Sequence, residues 1–108
     1  MDFETFFKSL KADLLQLIRD RFELESKEIK DEAIAFLEDS KTKLKRWTAL
    51  LAQGAITQSE FEVLVSSLKD LMVMTALYRA GVSKIKLGHF KNAVVKLILN
   101  RAFVFIGL

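Results

Sequence analysis

The stretch that most limits what this chain can fold into lies at its midpoint. Leu50 to Glu62 reads Leu-Leu-Ala-Gln-Gly-Ala-Ile-Thr-Gln-Ser-Glu-Phe-Glu. An apolar periodic run stops at Gly54, and glycine takes the left-handed backbone that closes a helix. Thr57 and Glu60 then stand at the spacing of a capping box, in which each side chain satisfies the other residue's free backbone N–H. Ile56 precedes this cap and Phe61 follows at the fourth helical position, so the two form a hydrophobic staple. One helical arm therefore ends here and another begins. The arms span about 3–53 and 57–106, joined by a turn at 54–56, in one all-helical domain covering residues 1–108.

Each arm carries its own pattern. The first is apolar at Phe3, Phe7, Leu10, Leu14, Ile18 and Phe22, spacings of three and four that define one helical face. The same face continues through Ile29, Ala33, Phe36, Leu37, Leu44, Trp47 and Leu51, interrupted by the polar stretch Glu23 to Lys30. Either a single helix runs nearly to Gln53, or Ser26 caps a second one with Glu28 and Asp31 in its first turn, where the helix dipole favours negative charge. Leu24 sits off the stripe. In the second arm Phe61, Leu64, Val65, Leu68, Leu71 and Met72 form a stripe, and Leu71 to Tyr78 is then apolar almost all round. A helix of that kind needs neighbours on several sides and is placed centrally in a bundle. Gly81 and Gly88 flank a short alternation from Lys84 to Leu87, read as a kink or loop, and a last helix resumes at His89 with Phe90, Val94, Leu97, Ile98 and Phe105 on its apolar arc.

Two architectures fit an antiparallel helical hairpin of this kind. The arms fold back on themselves into a monomeric four-helix bundle, or two long hairpins, each about 75 Å at 1.5 Å per residue, pair into a dimeric four-helix bundle. In a simple hairpin residue i faces roughly residue 110 − i, which sets Lys84 to Arg101 against Ser9 to Ser26. The charge distribution agrees with that register. Residues 1–70 hold eleven basic and fourteen acidic side chains, whereas residues 71–108 hold six basic and none acidic. Asp13, Asp20, Glu23 and Glu25 would face the basic third. Arg101, whose helical position falls inside the apolar arc, has the greatest need of such a partner.

The residue inventory points to binding and away from catalysis. With no cysteine, disulfides, thiolate chemistry and Cys-based zinc sites are excluded. His89 is the single histidine, and Lys86 stands where a helical di-metal site would place a glutamate. No serine lies in a Gly-x-Ser-x-Gly elbow and no glycine-rich phosphate loop is present, so no enzyme activity, cofactor or metal is expected. Lys41, Lys43, Lys45 and Arg46 beside Trp47 spread around a helix and read as a solvated face, while Trp47 falls on the apolar stripe as core or oligomer interface. The candidate interaction surface comprises Lys84, Lys86, Lys91, Lys96, Arg101, Phe103 and Phe105 with Trp47. The expected partner is a second copy, a dimer first of all, or another helical protein. The alternative is a peripheral membrane or anionic-surface binder using the basic, apolar segment 84–108, although Lys91, Lys96 and Arg101 step by five residues and so point in three directions. Nucleic acid is disfavoured because the first two thirds is net acidic. The start, Met-Asp-Phe-Glu-Thr, lacks the features of a secretory signal, and the most apolar stretches fall short of the roughly 20 residues that cross a bilayer, so a cytoplasmic protein is expected.

Leu50 to Glu62 also resembles the turn of SHOCT-type short domains, with its leucine-rich helix, Gly, Ile, Thr and acidic-aromatic restart. The resemblance is confined to that stretch. It implies a helix, a turn and a helix there, and carries no function across.

Overall fold

Among the described residues each α-helix begins beside a side chain that accepts from its free N–H donors, and those groups set the element boundaries. The computed structural model describes residues 2–22 and 26–108. Asp2 opens α1 (Phe3–Phe22) by accepting from the Thr5 N–H at 2.7 Å, and that bond holds the Asp2 carboxyl below its ordinary range. Ser26 caps α2 (Lys27–Ala52) by accepting from the Ile29 N–H, so of the two readings of the first arm the broken one holds. The positions of Leu24, Glu23 and Glu25 lie outside the described residues.

The central turn forms as its residues dictate. The Ala55 N–H reaches the Leu50 carbonyl at 2.9 Å and the Gly54 N–H reaches Leu51 at 3.1 Å, the paired bonds of a Schellman motif with Gly54 at φ +73°. Thr57 and Glu60 then make both bonds of the capping box, at 2.9 and 3.1 Å, to open α3 (Gln58–Ser67). Phe61 is fully buried and Ile56 packs against the same core.

The second arm departs from expectation. After α3 come a 3-10 turn at Leu68–Leu71, an extended link, a short α4 (Thr75–Arg79) and then α5 (Lys84–Ile106). Leu71 to Tyr78 is thus no central helix. Met72, Met74, Ala76 and Leu77 are buried while Leu71, Val73 and Tyr78 are exposed. The last helix starts at Lys84, five residues before His89, because Ser83 caps it by accepting from the Lys86 N–H at 3.2 Å. Gly88 lies within that helix, and Gly81 at φ +91° closes α4.

Four positions of a bundle result, the third filled by α3, the 3-10 turn and α4 in series. α1 packs on α2 and α5, and α3 packs on the same two helices, giving an up-down-up-down arrangement around one continuous core. The molecule measures 43 × 25 × 21 Å, so the arms fold back and the 75 Å hairpin does not form. The register nevertheless holds. Phe6 stacks on Phe105 at 4.7 Å, Phe22 meets Phe90 edge-on at 5.3 Å, and Arg101 Nε lies 2.8 Å from Asp13 Oδ2. These pairs sum to 111, 112 and 114, close to the 110 of a simple hairpin. Asp20, by contrast, accepts from Gln16 on its own helix.

Between α1 and α2 the seam is electrostatic at its edges and aromatic beneath. Lys41 pairs with Glu4 at 2.9 Å and Lys11 with Glu38. Both lysines sit over the buried Phe7 ring, at 5.1 and 5.2 Å from its centre, so their stems shield the ring while the heads stay wet. The Lys11 hydrogen bond lowers the Glu38 carboxyl below its ordinary 4.5, and the Glu4 hydrogen bond raises the Lys41 ammonium above its ordinary 10.5.

Two predictions follow from these features. Nothing lies within 4 Å of a Cβ built on Gly54, so a side chain there meets conformational strain and no clash. Gly54→Val should cost about 1–2 kcal/mol in urea unfolding and Gly54→Asn clearly less; equal stability in all three proteins would remove the left-handed cap. The seam sets a pH window. The depressed Glu38 stabilises the fold above pH 4.5 and loses this effect as pH falls through its lowered value, whereas the raised Lys41 does so below pH 10.5 and loses it as pH rises further. Thermal melts across pH should therefore show a plateau that falls at both ends, with Glu38→Gln softening chiefly the acid limb and, because the Glu38 charge also helps to raise Lys41, the alkaline limb more weakly.

Candidate functional site

The break in the third helix leaves apolar side chains on the surface. Met72 takes extended backbone, φ −85° and ψ 99°, so side chains alternate across the link. Met72 and Met74 turn into the core, leaving Leu71 and Val73 54% and 68% exposed. Those two side chains stand beside the α2 residues Ala35 and Phe36 and line an open cleft of about 260 Å³. Glu32 and Asp39, also on α2, border the same cleft. Its lining therefore joins four apolar residues with two acidic ones.

Glu32, which borders this face, also helps to fix it, together with Glu28 one turn earlier on α2. Met74 has no side-chain acceptor to cap α4. Glu32 supplies one from outside the helix, its carboxylate accepting from the backbone N–H groups of Thr75, at 3.1 Å, and Ala76. One turn earlier on α2, Glu28 pairs with Arg79 at the far end of α4. Residues four apart share a helix face, so two glutamates hold both ends of a five-residue helix. Glu28 and Arg79 are more than half exposed and their pair contributes little on its own; the bonds from Glu32 satisfy donors that α4 would otherwise leave open.

The residues singled out in the sequence fall into three environments. Lys84 and Lys86 are exposed in the first turn of α5, and Lys96 is exposed further along it. Arg101 is half exposed and paired with Asp13, so it has the expected acidic partner without the expected burial. Lys91 is partly buried. Phe103 lies 5.9 Å from Phe61 and Phe105 stacks on Phe6, placing both at the edge of the core, where Trp47 also packs. Lys86 and Arg101 are about 22 Å apart along the helix. The turn residues Gly54, Ile56, Thr57, Glu60 and Phe61 do come together, as structure.

His89 is exposed and lines a basic cleft of about 240 Å³ with Arg21, Phe22 and Lys86. Among the described residues no three His, Asp or Glu side chains gather in an arrangement that could hold a metal ion, and no helix is long and apolar enough to cross a membrane. Comparison with protein-family models, curated proteins and solved structures finds no match to this chain.

Sequence reasoning missed Leu71, Val73 and Ile85 as surface residues. In Leu71-Met72-Val73-Met74 every position is apolar, so an in-and-out alternation leaves no trace in a hydrophobic pattern. Ile85 had a usable signal: Ser83 as a helix cap places Ile85 in a first turn between two lysines. The role of Glu32 is directly testable. Glu32→Ala should accelerate amide exchange across Ala76–Ala80 by about tenfold while leaving exchange in α1 and α5 unchanged; uniform acceleration through the whole chain would instead make Glu32 part of global stability.

Proposed function

We propose that this protein works by self-association, as a non-enzymatic helical bundle whose contact surface is the cleft at Leu71 and Val73. The observation that supports this reading is that a complete core forms within one chain while two large apolar side chains stay exposed beside an open cleft with Phe36 among its lining residues. Folding does not need them covered. An apolar patch that the monomer leaves open, bordered by charge, is the usual mark of a contact site.

A membrane-surface reading of 84–108 has less to work with. Phe90, Val94, Val95, Ile98 and Ala102 are buried within the bundle, so only the outward residues of α5 are free to meet an anionic surface.

Light scattering over a dilution series tests the proposal. The wild type should pass from monomer to dimer as concentration rises, and Val73→Asp should remain monomeric with unchanged helicity, because the side chain it replaces is already mostly in water. A wild-type chain that is monomeric at every concentration would overturn the reading.

A further inference from the structure

We infer that the occupant of the Leu71–Val73 cleft is the first turn of α5 from a second copy, with Ile85 seated against its apolar residues and Lys84 and Lys86 against its acidic ones. This rests on the self-association reading above and names the surface the partner contributes.

Complementarity of shape and charge carries the inference. Ile85 is 76% exposed, more than any other large hydrophobic side chain among the described residues. In the first turn of α5 Leu87 packs against the core, whereas Ile85 projects into solvent between Lys84 and Lys86, both exposed. Neither lysine forms an ion pair among the described residues, and α5 has no acidic residue in its first turn. The cleft is the converse surface, lined by the apolar Leu71, Val73, Ala35 and Phe36 together with the acidic Glu32 and Asp39. One chain therefore carries a basic-apolar projection and an acidic-apolar recess, and Ile85, Leu71 and Val73 on them stay more than half exposed.

The two surfaces differ, so a single contact is heterologous. Two copies can make it reciprocally, each inserting its turn into the other's cleft, and the pair then closes as a dimer without free ends. The alternative closed arrangement is cleft against cleft. It sets Glu32 and Asp39 of one copy near the same carboxylates of the other, a like-charge approach that opposes association. Patches of this size bury less than a standard stable interface, so the dimer is weak, and salt screens its charge contribution.

Three proteins at matched concentration decide the matter by sedimentation velocity: wild type, Ile85→Asp and Val73→Asp, with the two variants also mixed in equal amounts. Ile85 and Val73 are both mostly exposed, and circular dichroism confirms that each variant folds. If the turn occupies the cleft, Ile85→Asp raises the dimer Kd by about tenfold or more, as Val73→Asp does. The mixture then associates more tightly than either variant alone but less tightly than the wild type, because the Val73→Asp chain still offers an intact turn to the intact cleft of the Ile85→Asp chain, which restores one of the two reciprocal contacts. Raising NaCl from 0.1 to 1 M weakens the wild-type dimer. If Val73→Asp abolishes the dimer while Ile85→Asp leaves it intact, the inference is overturned and self-association through the cleft stands. If the wild type never associates, both fall.

Discussion

Two phenylalanine pairs hold the first and last helices together at opposite ends, Phe6 on Phe105 and Phe22 against Phe90. The two members on α1 are about 24 Å apart along its axis, so together they fix both the register and the direction of the α1–α5 pairing. The rest of the bundle is built around that choice. Once α1 and α5 are neighbours, α2 and the α3–α4 series must occupy the two remaining corners. The Asp13–Arg101 pair agrees with the register and contributes little energy by itself, since Arg101 is half exposed. Aromatic burial sets the pairing; the ion pair discourages a slip.

A helix of full length in the third position would present its apolar surface all round and have too few neighbours to cover it. The chain avoids this by interrupting the helix. An extended link lets Met72 and Met74 reach the core from successive residues, and methionine's flexible side chain suits such irregular packing. The interruption leaves α4 with open donors, which Glu32 satisfies from α2. It also leaves Leu71 and Val73 outside. The surface proposed to bind a second copy is thus a by-product of the way the core was closed.

Much of this was legible in the residues. The central turn, with Gly54, Thr57, Glu60 and Phe61, follows from local capping chemistry that acts within a few residues and needs no tertiary help. The antiparallel register was legible from arm length and charge asymmetry because both arms fold back near equivalent points, which preserves the pairing of their far ends. The break at Leu68–Met74 was not, because neither Gly nor Pro marks it and the acceptor that stabilises it lies about 43 residues away in Glu32. The candidate surface was legible only in Lys84 and Lys86. Phe103, Phe105 and Trp47 carry the same apolar signature whether they line a core or an interface, and the periodicity of a helix does not report which of its neighbours belongs to its own chain.

That distinction is also where the structure is most directly tested. In a sample mixing isotope-labelled and unlabelled chains, filtered NMR separates aromatic contacts within a chain from those between chains. The Phe6–Phe105 and Phe22–Phe90 ring contacts should appear within single chains at every concentration, including those at which dimer forms. Their appearance only between labelled and unlabelled chains would show that α1 packs on the partner's α5, and that the unit of folding is the dimeric hairpin and not the closed monomeric bundle.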